Sequence, residues 1–140
     1  MINIRSVDHV VLRVSDLEKV GRFYIDVLGG AWDRRRPELG LHHLRLGDMM
    51  IDLVPVDGPL GKMGGAAPGA EGHNVDHVAF RVEPWDGGAI LEHLRQHGIE
   101  GEIKTRYGAD GDGPSIYIRD PEGNGVELKG RADEQTRGEA

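Results

Sequence analysis

The sequence predicts an α+β fold built from two tandem β-α-β-β-β modules. Two observations lead there. Residues 7–14 read Val-Asp-His-Val-Val-Leu-Arg-Val and residues 75–82 read Val-Asp-His-Val-Ala-Phe-Arg-Val, so six of eight positions are identical at an offset of 77 − 9 = 68 residues. A repeat at half the chain length means two copies of one structural unit. Each copy is followed by one helical stretch and then by strand-like segments.

The repeated octapeptides read as strands, because β-branched and other apolar residues alternate with polar ones. Side chains alternate between faces along a strand. His9, Val11 and Arg13 therefore share one face, and Val10, Leu12 and Val14 the other. His77, Ala79 and Arg81 repeat the first set, and Val78, Phe80 and Val82 the second. The apolar faces are expected under a helix layer, and the histidine faces along a cleft.

After the first strand, Ser15-Asp16-Leu17-Glu18 has the form of a capping box with Ser15 as the cap. Leu17, Val20, Tyr24 and Val27 follow at helical spacing, widened by Phe23 and Leu28, and Gly29-Gly30 supplies a stop. Residues 31–36, 42–46 and 49–54 read as strands, the last two joined by a tight Gly47-Asp48 turn. Residues 55–74, rich in glycine and proline, have no periodicity and read as a linker. The second copy repeats the order: a helix over 87–97 with Ile90, Leu91 and Leu94 inward, a strand over 99–106, a loop over 107–114, and a hairpin of 115–119 with 125–129. The expected organisation is one domain over 1–130, with modules at about 4–55 and 75–129, and a polar tail over 131–140.

Composition narrows the partners. A net charge of −7 argues against nucleic acid or an anionic membrane. No apolar run approaches the roughly 20 residues that span a bilayer, and the first residues lack a signal-peptide pattern. With no cysteine there is no disulfide, thiolate ligand or cysteine nucleophile, which fits a reducing, cytoplasmic setting.

Aligning the two terminal hairpins brings Glu127-Leu128 onto Asp52-Leu53, once three extra residues are allowed in the second turn. Each module then offers one histidine on its first strand and one carboxylate on its last. Asp52 lies between Ile51 and Leu53, and Glu127 between Val126 and Leu128, so both carboxylates are expected to face the cleft. Imidazole and carboxylate donors suit a divalent ion: zinc, nickel, cobalt, manganese or iron. A lone strand histidine is more often structural; the recurrence of the pair is what favours a site here.

On the paired Val-Asp-His strands, Phe23-Tyr24-Ile25-Asp26-Val27-Leu28-Gly29, and the segment from Ile118 to Leu128, the chain resembles the vicinal oxygen chelate superfamily. That superfamily includes glyoxalase I, methylmalonyl-CoA epimerase, fosfomycin-resistance transferases, extradiol dioxygenases and bleomycin-binding proteins. The resemblance covers residues 4–129. It implies a half-open eight-stranded barrel around a metal cleft, one divalent metal per site, a small-molecule substrate and a homodimer. His9, His77 and Glu127 match the family's regular ligand positions. Asp52 matches the variable fourth, usually Glu or Gln in the lyases, and being shorter it ligates directly or through water. Glu127 or Asp52 is the candidate general base. Tyr117 and Arg119 share the Glu127 face and are candidates for holding a substrate oxyanion, against the alternative of rim packing.

Other features carry less. Arg34-Arg35-Arg36 reads as a solvated face rather than an anion site, and His93 and His97, four apart, as surface residues. One of His42 and His43 is expected to face the cleft. Asp110-Gly-Asp112-Gly reads as a lid and lacks the distal acid of a calcium loop. Two functional classes remain: a metal-dependent lyase or isomerase like glyoxalase I, with dioxygenase or fosfomycin-type chemistry as variants, and a metal-free antibiotic-binding module.

Overall fold

The computed structural model describes residues 1–134, and the end of the expected tail, 135–140, lies outside the described residues. The chain divides into two compact units, Met1–Asn74 and Val75–Ala140. Each is a β-α-β-β-β module closed into one four-stranded mixed sheet.

In the first unit, β1 (His9–Val14), β2 (Ala31–Arg36), β3 (Leu41–Leu46) and β4 (Met49–Pro55) lie in the order β1-β4-β3-β2. β4 runs parallel to β1 and antiparallel to β3, with Val11 opposite Asp52 and His43 also opposite Asp52. One sheet face is core: Leu12, Val14, Leu44, Ile51 and Leu53 are buried with Val20, Phe23 and Tyr24 of the helical layer. That layer begins with α1 (Leu17–Arg22) and continues as a π-helical turn, Phe23–Val27. The cap differs from the expected one. Asp16, with extended backbone, accepts from the Lys19 amide at 3.0 Å, and Glu18 pairs with Arg35 instead of reaching back. Gly21 lets this layer press on β2, since a Cβ there would lie 2.4 Å from the Trp32 ring.

Residues 55–74 are tied into the first unit. Arg13 donates to the carbonyls of Gly61, Gly65 and Ala66 at 2.7–3.1 Å, and Asn74 donates to the Arg13 carbonyl at 2.8 Å. A short 3-10 turn, Gly61–Gly64, is held in this way.

The second unit contains β5 (His77–Arg81), α2 (Gly87–Gln96), β6 (Ile103–Gly108), β7 (Gly111–Arg119) and β8 (Gly125–Lys129), with sheet order β5-β8-β7-β6. Asp86 caps α2 by accepting from the Ala89 amide at 3.1 Å. Leu94, Ile116, Ile118, Val126, Leu128 and Trp85 are buried. The expected loop over 107–114 is a continuation of the sheet: β6 and β7 pair as far as Gly108 opposite Gly111, leaving only Ala109 and Asp110 to turn. Gly111 takes φ +115°, a conformation that glycine adopts without the steric cost of a side chain.

Candidate functional site

The repeat extends to strand register. Val11 is opposite Asp52, and Ala79 is opposite Glu127, so each carboxylate sits two residues along from its histidine on the neighbouring strand. The third strand adds His43 opposite Asp52 in one unit and Tyr117 opposite Glu127 in the other.

In the first unit, the sheet face away from the helical layer lines a cavity of about 520 Å³. Val11, Leu41, Met50 and Val54 give it apolar walls, and His9, His43 and Asp52 open onto it. Asp52 is 2% exposed, and its Oδ1 lies 2.8 Å from His43 Nδ1. A buried carboxylate needs such a partner. His43 is thus the cleft-facing member of the His42-His43 pair. His42 is buried on the opposite face, 3.1 Å from the donating Arg35 Nε. Burial, with the Arg35 charge second, holds the His42 pKa below its ordinary 6.5. His9 is half-exposed, and its pKa is raised by the hydrogen bond to Asp8 and then by the Asp52 charge.

In the second unit, Glu127 is 4% exposed. Its Oε2 accepts from Ser115 Oγ at 2.6 Å, and its Oε1 lies 3.2 Å from His77 Nε2. The other nitrogen of His77, Nδ1, is 2.7 Å from Asp76 Oδ2. Tyr117 stands edge-on to His77, with ring centroids 5.7 Å apart. Burial and then the hydrogen bond to Glu127 raise its pKa above 10.0. Arg119 is directed elsewhere and donates to the Gly123 carbonyl at 2.7 Å.

Two features place Glu127 and His77 together. The turn before β8 is locked by Asp120, which accepts from the Glu122 and Asn124 amides at 2.9 and 3.0 Å and from Asn124 Nδ2 at 3.0 Å. Gly125 then lets β5 approach closely, since a Cβ there would lie 2.3 Å from the Asp76 carbonyl oxygen.

The donor chemistry fits a divalent ion. Two ligands each about 2.0–2.2 Å from one ion stand roughly 3.0 Å apart at a right angle and roughly 3.4 Å apart at a tetrahedral angle. The 3.2 Å between His77 Nε2 and Glu127 Oε1 falls between. Among the described residues, no group of three or more such side chains forms a metal site; each unit presents its own His–carboxylate elements. The weaker sequence features are occupied structurally. Arg35 pairs with Glu18 and lies 3.9 Å from the Trp32 ring centroid, and Arg36 pairs with Glu38. Asp110 accepts from Arg81 and from the Ala132 amide.

Sequence reasoning missed the Asp8, Asp76 and Ser115 contacts and the His43–Asp52 pair. The two aspartates were visible in the repeated Val-Asp-His. The other contacts depend on cross-strand register.

A sequence model of the Glyoxalase/Bleomycin resistance protein/Dioxygenase superfamily matches residues 6–128. The chain belongs to this superfamily. Virulence protein STM3117 of Salmonella typhimurium is 32% identical over 133 residues, covering 89% of this chain and 83% of that protein. Its crystal structure superposes with a TM-score of 0.75 and 28% identity, over 93% of this chain and 99% of the other. Metallothiol transferase FosB of Staphylococcus epidermidis is 28% identical over 91% of this chain and 82% of its own length. The crystal structure of lactoylglutathione lyase from Agrobacterium tumefaciens matches with a TM-score of 0.61 and 25% identity, over 89% of this chain and 92% of that one. Like these relatives the chain carries the glyoxalase fold. Among the described residues no helix is long and apolar enough to cross a membrane.

Proposed function

We propose that this superfamily member is a divalent-metal enzyme that moves a proton on a small substrate bound through adjacent oxygens, in the manner of a glyoxalase-type lyase or isomerase. The observation that carries the reading is the His77 Nε2–Glu127 Oε1 spacing of 3.2 Å, which matches the bite of one ion. On this reading His9, which holds the same strand position in the first module as His77 in the second, would be the third ligand. An ion held by His9, His77 and Glu127 would supply Lewis-acid polarisation of the substrate oxygens.

The proton falls to His43. Asp52 engages its Nδ1, which leaves Nε2 as the nitrogen that accepts the proton. Asp52 then stabilises the imidazolium, so its part is exerted through His43 rather than as a metal ligand. Val11, Leu41, Met50 and Val54 give the cavity beside His43 apolar walls against which a small substrate would pack. Tyr117, edge-on to His77 and opposite Glu127 on the neighbouring strand, is the candidate to contact a substrate oxygen. The protein works as a homodimer, the common arrangement in the superfamily.

Deuterium wash-in tests the reading. In D2O, NMR should show metal-dependent exchange of the proton on the carbon next to a carbonyl in hemithioacetals of 2-oxoaldehydes or in α-hydroxyketones. His43→Gln should lower it by at least about a hundred-fold. The similarity to FosB favours one competing chemistry, thiol transfer. No exchange on any such compound, with a thiol adduct of an epoxide formed instead, would put that reading first.

A further inference from the structure

Both repeated histidines have an aspartate immediately before them, and both aspartates make the same contact. Asp8 Oδ2 is 2.7 Å from His9 Nδ1, and Asp76 Oδ2 is 2.7 Å from His77 Nδ1. The aspartate side chains are 87% and 97% exposed, and so exposed a pair contributes little to stability. A folding role therefore does not account for the contact's presence in both units.

Its chemistry does. A neutral imidazole carries one N–H, and which nitrogen holds it is set by the hydrogen bond that nitrogen makes. A carboxylate at Nδ1 draws the N–H there and leaves the Nε2 lone pair for a cation. In His77 that lone pair faces Glu127 Oε1 at 3.2 Å. Two acceptors facing each other repel unless a proton or a metal ion lies between them. A carboxylate behind a metal-binding histidine also raises its basicity and fixes its ring orientation.

We propose that Asp8 and Asp76 are positioning residues that hold His9 and His77 as Nδ1–H tautomers, with Nε2 presented to a divalent cation. The assignment rests on the metal reading above. It predicts that the exposed aspartates, and not only the ligands, govern cation affinity.

The test uses the full chain, with two readouts. Histidine 15N–1H correlation spectra of the metal-free protein at about pH 8.5, well above the ordinary histidine pKa of about 6.5, report the tautomer. Competition with a chelating dye reports Zn2+ affinity. Wild type should show Nδ1–H at both histidines. Asp76→Ala and Asp8→Ala should each move their own histidine towards Nε2–H and weaken Zn2+ binding about ten-fold, the low end for such partners. Asp76→Asn, whose amide oxygen still accepts, should keep the tautomer and most of the affinity. If wild type binds Zn2+ and the alanine variants keep both tautomer and affinity, the positioning role is wrong while the metal reading stands. If wild type binds none, the metal reading fails and takes this assignment with it.

Discussion

Gly125→Ala tests how the second unit brings its histidine and carboxylate together. A Cβ at this position would sit 2.3 Å from the Asp76 carbonyl oxygen and 2.7 Å from His77 Cβ, whereas ordinary contact begins near 3.4 Å. The start of β5 must therefore retreat by roughly 1 Å, and it is backbone, so no rotamer change relieves the clash. Gly125 is the register partner of His77, so the retreat acts directly on the residue whose Nε2 lies 3.2 Å from Glu127. Overpacking of this kind costs about 1–3 kcal/mol. Loss of a ligand's positioning is expected to weaken metal binding by roughly ten- to a hundred-fold. Urea unfolding measures the first effect and Zn2+ competition the second, with Gly123→Ala, at a φ of +87°, as a control for strain in the turn alone. Unchanged Zn2+ affinity in a folded Gly125→Ala protein would refute the claim that close β5–β8 approach sets the site.

Three further outcomes follow from the same reasoning. His43→Gln and Asp52→Asn should both lower proton exchange by at least about a hundred-fold with metal content unchanged, since they act on the proton and not the ion; equal loss of metal would make Asp52 a ligand. The lowered pKa of His42 makes stability pH-dependent. The unfolded chain takes up a proton near pH 6.5 that the buried ring resists, so this contribution is complete above pH 6.5 and is lost as the pH falls towards the folded value. The difference in urea midpoint between wild type and His42→Gln should therefore shrink on acidification below pH 6.5. Light scattering should give twice the chain mass at micromolar concentration, and a monomer mass would contradict the dimer.

Much of the module was legible because repeat, strand alternation and helix spacing all pointed the same way. The alignment of Asp52 with Glu127, made by allowing three extra residues in a turn, reappears as equal register against Val11 and Ala79. Local alternatives of similar energy were not legible. Ser15-x-x-Glu18 and Asp16-x-x-Lys19 are both plausible caps, and the choice of Asp16 goes with the engagement of Glu18 by Arg35 in a distant strand. The glycine-rich stretch from Tyr107 to Pro114 looked like a loop because its strand pairing depends on backbone and not on apolar side chains. His43 was ambiguous with His42 because one residue of register exchanges the two faces of a strand. Only the pairing of β3 with β4 puts His43 on Asp52.

Elemental analysis of the purified protein, run beside His9→Ala, His77→Ala and Glu127→Gln, tests the metal assignment most directly. The account predicts about one divalent ion per chain in the wild type and its loss in each variant, with circular dichroism unchanged because the cores rest on Leu12, Ile51, Ile116 and Val126. A wild type without metal, or three variants that keep it in full, would contradict the account.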